Sequence, residues 1–350
     1  MAAHTLRSLA KLLKYSRSTI SDALRHSPNV NAKTAERIRQ AAAAAGYRSN
    51  PLASAVMSEI RRSHNAAFRG MLASVLLEER DRPPVFKRFF TELIAGASDR
   101  AAELGFGLEK FEAGGRTMPL KRLDGILKAR GIRGLILMPA WGTPDFTALD
   151  WSHYAAVYCD YIVQRPPLHA VSTAHYRSLM GVLERLHARG YRRPGIFLTS
   201  HRDERLQHSF ESAFLGFQQH AKGLTRVPPL VVPEITPALF SAWFRQHQPD
   251  VVLGHHTQAL EWMKACGAKI PQTNGFFCLN LFTETTTCAG LDLQPRLWGT
   301  QAAELVIAQL HRNQHGIPPS CSMTTIPARW VEAPTIIPSG HGPEPEGPLE

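Results

Sequence analysis

The sequence predicts a small all-α unit at the N-terminus and a larger α/β domain behind it. Apolar residues recur at helical spacing up to Gly46, as on one face of a helix. From residue 70 onward, short apolar runs alternate with helical segments, a pattern typical of parallel strands covered on both faces. The charge is also uneven, because residues 1–62 hold eleven Lys or Arg and three Asp or Glu, a net +8 of the chain's +11. This excess of base predicts a polyanionic partner for the N-terminal unit.

Three short helices are predicted in the N-terminal unit. Their apolar stripes are formed by Leu6, Leu9, Ala10 and Leu13, by Ile20, Ala23 and Leu24, and by Ile38, Ala41, Ala42 and Ala45. Thr5, Ser16 and Asn31 are suitable N-caps, and Gly46 provides a C-terminal stop. Since only two or three residues separate the first two helices, they turn sharply and share one core. Helices of these lengths form a helix-turn-helix unit.

The second helix presents a polar face opposite Ile20 and Leu24. This face carries Arg17, Ser18, Ser21, Asp22 and Arg25. Its centre has short polar side chains and its edges are basic. Such a surface suits hydrogen bonds to base edges in a major groove, with phosphate contacts alongside.

Residues 5–56 resemble the DNA-binding headpiece of the lac repressor family of sugar-responsive transcription regulators. The resemblance is carried by "SRSTIS" at 16–21, "TAERI" at 34–38 and "AGYRSNPLA" at 45–53. It implies a double-stranded DNA operator as partner. The residues expected to contact DNA are Thr5, Leu6, Ser16, Arg17, Ser18, Ser21, Asp22, Arg25, Asn29, Thr34, Asn50, Ala53, Val56 and Met57.

Two positions of the headpiece depart from the family pattern. The family's turn usually has Gly where this chain has Lys14, and many relatives have Arg or Lys where it has Asp22. Asp22 allows two interpretations. It forms a surface ion pair with Arg25, or it accepts a hydrogen bond from cytosine N4 or adenine N6. We favour the second, because Asp22 lies on the outward face of its helix.

A further short helix is predicted over residues 50–62, with Asn50 as N-cap and Pro51 at its first position. So short a helix is marginal alone in water. The resemblance implies a hinge helix that pairs with its copy in a homodimer and enters the minor groove. The family usually places a Leu wedge between base pairs there. Val56 takes this position here beside Met57; the alternative is that Val56 only contacts the partner helix.

The larger domain contains eight short apolar runs that we predict as strands. They lie at 70–79, 105–113, 134–140, 155–160, 194–200, 229–234, 250–256 and 274–280. In parallel α/β architecture, ligands bind at the carboxyl ends of strands. Residues that follow the strands are therefore candidate ligand contacts.

The larger domain resembles the two-lobed, periplasmic-binding-protein-like effector domain of the same family. "LHARGYRRPGIFLT" and "AGLDLQPRLWGTQAAELVIAQL" carry this resemblance. The predicted organisation is a DNA-binding domain at 1–49, a hinge helix at 50–62, an effector domain at 63–332 and a disordered tail at 333–350. Within the effector domain, lobe 1 is expected at about 70–168 and 296–332, and lobe 2 at about 169–295. The tail is rich in Pro, Gly and acidic residues and lacks residues that form a core.

The resemblance implies a small-molecule effector held between the lobes. The candidate contacts are Phe86, Phe90, Met138, Trp141, Asp160, His255, Asn280 and Asp292. Asp160 keeps a family carboxylate that accepts sugar hydroxyls. The family's effector-clamping Arg is Ala213 here, so a neutral sugar is expected. Because His255 and His256 are adjacent, they would point to opposite faces of a strand, and neither a metal nor a cofactor is expected.

Several function classes are disfavoured by what the sequence lacks. The five cysteines form no C-x-x-C pair, which favours free thiols in a reducing compartment. No run of 18 uncharged apolar residues and no signal-peptide pattern occurs, so we expect a cytoplasmic protein without membrane association. No G-x-S-x-G, H-E-x-x-H or Walker loop is present, and an enzyme is not expected.

Two alternatives to a regulator remain at this level. An architectural DNA-bending protein would explain the charge and the hinge helix, but it leaves the effector domain without a purpose. A carbohydrate-processing enzyme would need two carboxylates, such as Glu78 and Glu79. The sequence therefore favours a DNA-binding transcription repressor controlled by a carbohydrate.

Overall fold

The structure is a computed structural model that describes residues 10, 13–24, 30–44, 70–79, 82, 84–116, 118–161, 165–283 and 286–338. For seven of these only the backbone is described: Arg17, Ser18, Ser21, Asp22, Ala43, Val85 and Thr283.

Two of the predicted headpiece helices are described, α1 (Arg17–Leu24) and α2 (Ala32–Ala44). They share a small core formed by Ile20, Ala23, Ala35, Ile38 and Ala42. Both predicted N-caps form. Thr19 N donates to Ser16 Oγ at 3.0 Å, and Lys33 N donates to Asn31 Oδ1 at 3.0 Å. These two helices carry the apolar spacing and the capping residues from which they were predicted.

The turn before α1 contains the predicted departure from glycine. Lys14 has a φ of 54°, in the left-handed region that glycine adopts without strain. A side chain there costs on the order of 1 kcal/mol. Lys14 therefore adopts the left-handed backbone at this turn although it is not glycine.

Much of the predicted DNA-contacting set lies outside the described residues. This applies to Thr5, Leu6, Arg25, Asn29, Asn50, Ala53, Val56 and Met57, and to the hinge helix at 50–62. Arg17, Ser18, Ser21 and Asp22 are placed on α1 by their backbone alone. These expectations stay predictions.

The larger domain contains twelve strands among the described residues. In chain order they are β1 (Gly70–Leu77), β2 (Phe106–Ala113), β3 (Gly134–Leu137), β4 (Ala155–Cys159), β5 (His169–Thr173), β6 (Pro194–Thr199), β7 (Leu230–Val232), β8 (Val251–Gly254), β9 (Gly275–Cys278), β10 (Gly290–Asp292), β11 (Met323–Ile326) and β12 (Arg329–Val331). Each of the eight predicted runs contains one of them. The sequence missed β5, β10, β11 and β12.

The strands form two sheets, one in each lobe. The first has the order β11-β5-β4-β3-β1-β2, and the second has the order β12-β10-β9-β8-β6-β7. All described pairings are parallel except that of β10 with β12. The predicted two-lobed α/β architecture with parallel sheets is therefore confirmed.

Helices cover both sheets. They are α3 (Lys87–Glu103), α4 (Leu120–Ala129), α5 (His175–Ala188), α6 (Ser200–Arg205), α7 (Ser209–His220), α8 (Pro237–His247), α9 (Ala259–Ala265) and α10 (Pro295–His311), with short 3-10 helices at Pro84–Phe86, Trp151–His153 and Leu281–Thr283. No helix among the described residues is both long enough and apolar enough to span a bilayer.

Two glycines let α3 and α10 approach closely in the first lobe. A Cβ on Gly299 would lie 1.9 Å from the carbonyl oxygen of Leu93. A Cβ on Gly96 would lie 1.9 Å from the carbonyl oxygen of Arg296. Because both contacts are with backbone atoms, no side-chain rotation relieves them. The helix pair that supports the first lobe therefore requires glycine at both positions.

The chain crosses between the lobes at different points from those predicted. Since β5 pairs with β4 in the first sheet, residues 169–173 belong to lobe 1, and the first crossing lies at Ala174 instead of near Leu168. The second crossing, just before Pro295, is close to its expected place. A third crossing follows β11, because β12 pairs with β10 in the second sheet. The predicted assignment of 296–332 to lobe 1 is thus wrong from residue 329 onward.

The first residues of the predicted disordered tail also pack on the second lobe. Thr335 Oγ1 donates to the carbonyl oxygen of Phe276 at 2.9 Å and accepts from Ala289 N at 2.9 Å. Ile336 is 1% exposed. An ordered and buried backbone at these positions contradicts a tail that begins at 333; residues 339–350 lie outside the described part.

Candidate effector-binding site

A cavity of about 780 Å³, including its open mouth, lies between the two lobes. Its polar lining comes mainly from residues that follow parallel strands, as the architecture predicts for a ligand site. Asp160 follows β4, His255 follows β8 and Asn280 follows β9.

The structure brings six of the eight predicted effector residues to this cavity. They are Phe86, Phe90, Trp141, Asp160, His255 and Asn280. Their distribution over both lobes agrees with the expectation that the ligand lies between them. Whether they bind a ligand stays a prediction.

Met138 and Asp292 do not line the cavity. Met138 is 1% exposed and packs in the hydrophobic core instead. Asp292 accepts a hydrogen bond from Gln294 N at 2.7 Å and pairs with Arg329 at 2.8 Å. Met138 therefore supports the fold, and Asp292 holds β10 against β12.

Sequence reasoning missed several lining residues, among them Arg82, Phe89, His175, Arg202, Arg205, Leu206, Phe210, Leu293 and Trp298. Arg202 and Arg205 lie on α6, which begins directly after β6. The rule that ligand residues follow strands could have found both. His175 follows β5, a strand that the sequence did not predict, so no local pattern indicated its position.

Asp160 forms an ion pair with Arg205 across the cavity. The carboxylate is 5% exposed and also accepts from Tyr161 N at 2.8 Å. Burial raises the pKa of Asp160, and the Arg205 guanidinium opposes part of that rise. Arg205 Nη1 donates to the carbonyl oxygen of Ala140 at 2.5 Å. One arginine of the second lobe therefore holds two acceptors of the first lobe.

Arg82 is held by a carboxylate outside the cavity lining. Its Nη2 donates to Glu79 Oε2 at 2.6 Å, and its guanidinium lies 5.0 Å from the centre of the Phe90 ring. Burial favours a raised pKa for Glu79, but the N–H groups of Gly142 and Trp141 and the Arg82 guanidinium lower the pKa below its ordinary value. Glu79 is therefore an anion that compensates the charge of Arg82.

Aromatic rings form one wall of the cavity. The ring of Trp141 lies 5.3 Å from Phe86 and 4.9 Å from His201 on α6. The guanidinium of Arg202 lies 5.7 Å from the centre of the Phe86 ring and 5.6 Å from that of Trp141. This wall offers flat apolar faces next to a cation.

Two buried imidazoles flank Phe210 in the cavity lining. The His175 and His255 rings lie 5.2 and 5.4 Å from the Phe210 ring. Burial, aided by Arg205, lowers the pKa of His175 to about 3. Burial, aided by Arg202, lowers the pKa of His255 well below its ordinary value. Both rings are therefore neutral near pH 7, so that each has one donor and one acceptor nitrogen.

Four buried nitrogens of the lining have no hydrogen-bond partner among the described residues. They are Arg82 Nε, His175 Nδ1, His255 Nδ1 and Trp298 Nε1. Leaving a buried polar group unpaired costs about 1–3 kcal/mol. Arg82 Nε and Trp298 Nε1 can only donate, whereas the imidazoles can also accept. A hydroxyl group both donates and accepts, so it can pair with either kind of nitrogen.

Comparison with solved structures identifies transcription regulators of similar fold. A CelR regulator in complex with cellobiose is 17% identical, with 95% of this chain and 99% of that chain covered at a TM-score of 0.55. The regulator CcpA of Lactococcus lactis is 12% identical, with 77% and 99% covered at 0.54. The lac repressor dimer bound to operator and the anti-inducer ONPF is 15% identical, with 95% and 99% covered at 0.52.

This chain has the lac repressor fold. The identities are low, so the comparison establishes the architecture and nothing finer. No protein-family model and no curated protein sequence matched the chain.

In this chain, the cavity described above lies between the two lobes, and the backbone crosses from one lobe to the other three times. Two of the three named neighbours are described as transcription regulators and the third as a repressor. The CelR structure contains cellobiose, and another lac repressor structure is bound to ONPG. These ligands belong to those proteins.

Proposed function

We propose that this protein is a member of the lac repressor family, a dimeric and sequence-specific DNA-binding repressor whose operator affinity is set by a small neutral sugar. The observation that carries the proposal is the cavity between the lobes. Its lining combines aromatic faces with buried nitrogens that lack partners among the described residues. This combination suits a ligand with apolar C–H faces and many hydroxyl groups.

The N-terminal sixth of the chain supports the DNA-binding part of the proposal. Residues 1–62 have a net charge of +8, which favours association with phosphates. The capped helices α1 and α2 have the lengths of a helix-turn-helix pair. In a dimer, two such headpieces would contact the two halves of a nearly palindromic operator.

The pairing of charges in the cavity supports a neutral effector. Arg205 is engaged by Asp160 and Arg82 by Glu79. The sequence-based argument for neutrality was that Ala213 replaces a clamping Arg. That argument fails, because guanidinium groups reach the cavity from other positions. Neutrality is favoured instead because carboxylates compensate two of these groups.

Contacts between the lobes support the coupling of effector to DNA. A ligand that displaces or reinforces the ion pair of Asp160 with Arg205 favours one lobe arrangement over another. Only such differential binding shifts an equilibrium between two arrangements. The shift then changes how the two hinge helices of a dimer are spaced at the operator.

The experiment is a selection of DNA from a random pool by the purified full chain, repeated with a panel of sugars. The panel pairs each neutral sugar with its acid, such as glucose with glucuronate and galactose with galacturonate. We expect one enriched, nearly palindromic motif whose recovery changes with a neutral member and not with its acid. The affinity for that motif is then measured at one fixed salt concentration, because phosphate contacts depend on salt.

Three results would contradict parts of the proposal. A pool without an enriched motif contradicts sequence-specific binding. A motif that no sugar affects favours an architectural DNA-bending protein. A response to the acid alone contradicts the neutral effector.

A further inference from the structure

Three potential metal ligands meet where α6 is joined to α7. His208 Nδ1 lies 3.7 Å from Asp203 Oδ2 and 3.6 Å from Glu211 Oε2. All three donor atoms lie within 4.8 Å of one another. Zn²⁺ takes nitrogen and oxygen ligands at about 2.0–2.2 Å. In a tetrahedral site, that bond length places ligand atoms about 3.4 Å apart, close to the separations from His208.

The Asp203 carboxylate provides a second and independent observation. The residue is 1% exposed. Its Oδ1 accepts from Phe210 N at 3.2 Å, whereas its Oδ2 has no hydrogen-bond partner among the described residues. Oδ2 is the oxygen that lies 3.7 Å from His208 Nδ1. A buried carboxylate oxygen without a donor is costly, and a cation beside it would remove that cost.

The ligand set favours a transition metal over Mg²⁺ or Ca²⁺. One imidazole nitrogen and two carboxylate oxygens suit Zn²⁺, whereas Mg²⁺ and Ca²⁺ prefer oxygen ligands only. His208 and Glu211 are partly exposed, with side chains 56% and 29% accessible. Solvent can therefore reach the cluster and complete the coordination of an ion. This site was not predicted from the sequence, because the spacing of Asp203, His208 and Glu211 matches no metal-binding motif.

The cluster lies behind one wall of the effector cavity. The cavity is lined from this segment by Arg202, Arg205, Leu206 and Phe210. The three cluster residues lie between and beside these positions in the chain but do not line the cavity. An ion bound by Asp203, His208 and Glu211 would tie α6 to the start of α7. It would therefore restrict the segment that carries Arg205 and Phe210.

We propose that Asp203, His208 and Glu211 form a Zn²⁺ site that fixes the α6–α7 segment and thereby regulates the effector cavity. The proposal that Zn²⁺ binds depends only on the geometry of the cluster. The proposal that the ion regulates the cavity rests on the proposed function, because it assumes that the cavity is the effector site. The alternative is that His208 lies beside the two carboxylates without an ion between them.

The test titrates the full chain with ZnCl₂ by calorimetry, with MgCl₂ as a second titrant. Two variants remove exposed ligands, His208→Ala and Glu211→Gln. His220→Ala removes an exposed imidazole from the far end of α7 and is the matched control. We expect one Zn²⁺ per chain, with an affinity at least about tenfold lower in both ligand variants and unchanged in the control. MgCl₂ should give no comparable binding.

A second readout separates ion binding from its regulatory effect. The Trp141 ring lies 4.9 Å from His201 on α6, so an ion that fixes α6 should change the fluorescence of Trp141. Trp141→Phe should abolish that change. Zinc binding that persists in His208→Ala would overturn the site. If His208→Ala abolishes zinc binding but zinc does not change the Trp141 fluorescence of the unmodified protein, the site stands and its coupling to the cavity is overturned. The proposed sugar function would be unaffected by that result.

Discussion

Arg205 on α6 of the second lobe forms an ion pair with Asp160, which follows β4 in the first lobe. Beside it, the hydroxyl groups of Tyr161 and Ser209 lie 2.7 Å apart and form a hydrogen bond between the lobes. Both contacts are partly buried, and Asp160 and Arg205 also line the cavity. A ligand that enters the cavity therefore meets the ion pair of Asp160 with Arg205 directly.

Asp160→Asn should weaken effector binding more than folding. The substitution keeps the shape of the side chain but removes the charge that compensates Arg205. Because burial disfavours the Asp160 charge and raises its pKa, removing that charge offsets the loss of the counter-ion, and we expect the free energy of unfolding to change little. Effector affinity should fall at least about tenfold, equivalent to about 1.4 kcal/mol. Urea unfolding and calorimetric titration with the selected sugar measure the two effects.

Asp145→Asn is the matched control for this substitution. Asp145 pairs with Arg165 at 2.9 Å, but both side chains are well exposed, and exposed pairs contribute little to stability. We expect both measurements to stay close to those of the unmodified protein. Equal losses in the two variants would show that the Asp160 pair has no special role at the cavity.

The stability of the protein should fall in acid because of its buried histidines. The pKa of His175 is about 3 in the folded protein and about 6.5 in an unfolded chain. Between these values the unfolded state binds more protons, so stability is complete above about pH 6.5 and is lost as the pH falls towards 3. Burial shifts His255 and His256 in the same direction. The raised pKa of Asp160 acts in the opposite direction.

His175→Phe isolates one of these contributions. Phenylalanine keeps the ring contacts with Tyr161 and Phe210, and no hydrogen bond of Nδ1 is lost. The free energy of unfolding of the unmodified protein, relative to that of the variant, should fall as the pH is lowered from 6.5 to 4.5. The fall should be up to about 1.4 kcal/mol per pH unit. Urea unfolding at a series of pH values measures the difference. Parallel profiles of the two proteins would contradict a neutral, buried His175.

The sequence predicts the strands that are buried on both faces. All residues of β3, β8 and β9 are buried, and each strand coincides with an uninterrupted apolar run. β5 was missed because Ser172 and Thr173 are polar, although both are buried. The short strand β12 follows β11 after two residues and lies in the other sheet. Local pattern does not report pairings between distant segments, so the third crossing could not be predicted.

The cavity was predictable where its residues follow recognised strands. Trp141 and Asp160 follow β3 and β4, and both line the cavity. Met138 follows β3 directly, closer than Trp141, but its side chain is buried in the core. The direction of each side chain had to come from the structure.

Gly299→Ala should destabilise the first lobe. The added Cβ would lie 1.9 Å from the carbonyl oxygen of Leu93, so α3 and α10 must move apart. Overpacking of this kind typically costs about 1–3 kcal/mol. Gly125→Ala on α4 is the control, because nothing lies within 4 Å of its Cβ. It should raise stability by about 0.5–1 kcal/mol. Thermal and urea unfolding compare both variants with the unmodified chain; the same sign in both would contradict the close approach.

Asp22→Asn tests the remaining question about the headpiece. If the carboxylate accepts a hydrogen bond from cytosine N4 or adenine N6, the amide should relax the preference at one base pair of each half-site by about 1–3 kcal/mol. Affinity for other base pairs should change little. Binding of the selected operator and of its single-base variants, measured at one salt concentration, gives the profile.

Glu36→Gln is the control for charge alone in the Asp22 experiment. Glu36 is an exposed acid on α2 outside the predicted DNA contacts. Removing it lessens repulsion of phosphates without touching a base, so it should tighten binding to all sequences alike. If Asp22→Asn gives the same uniform tightening, Asp22 only repels the backbone. A base-specific loss in Asp22→Asn alone makes Asp22 a determinant of which operator this protein selects.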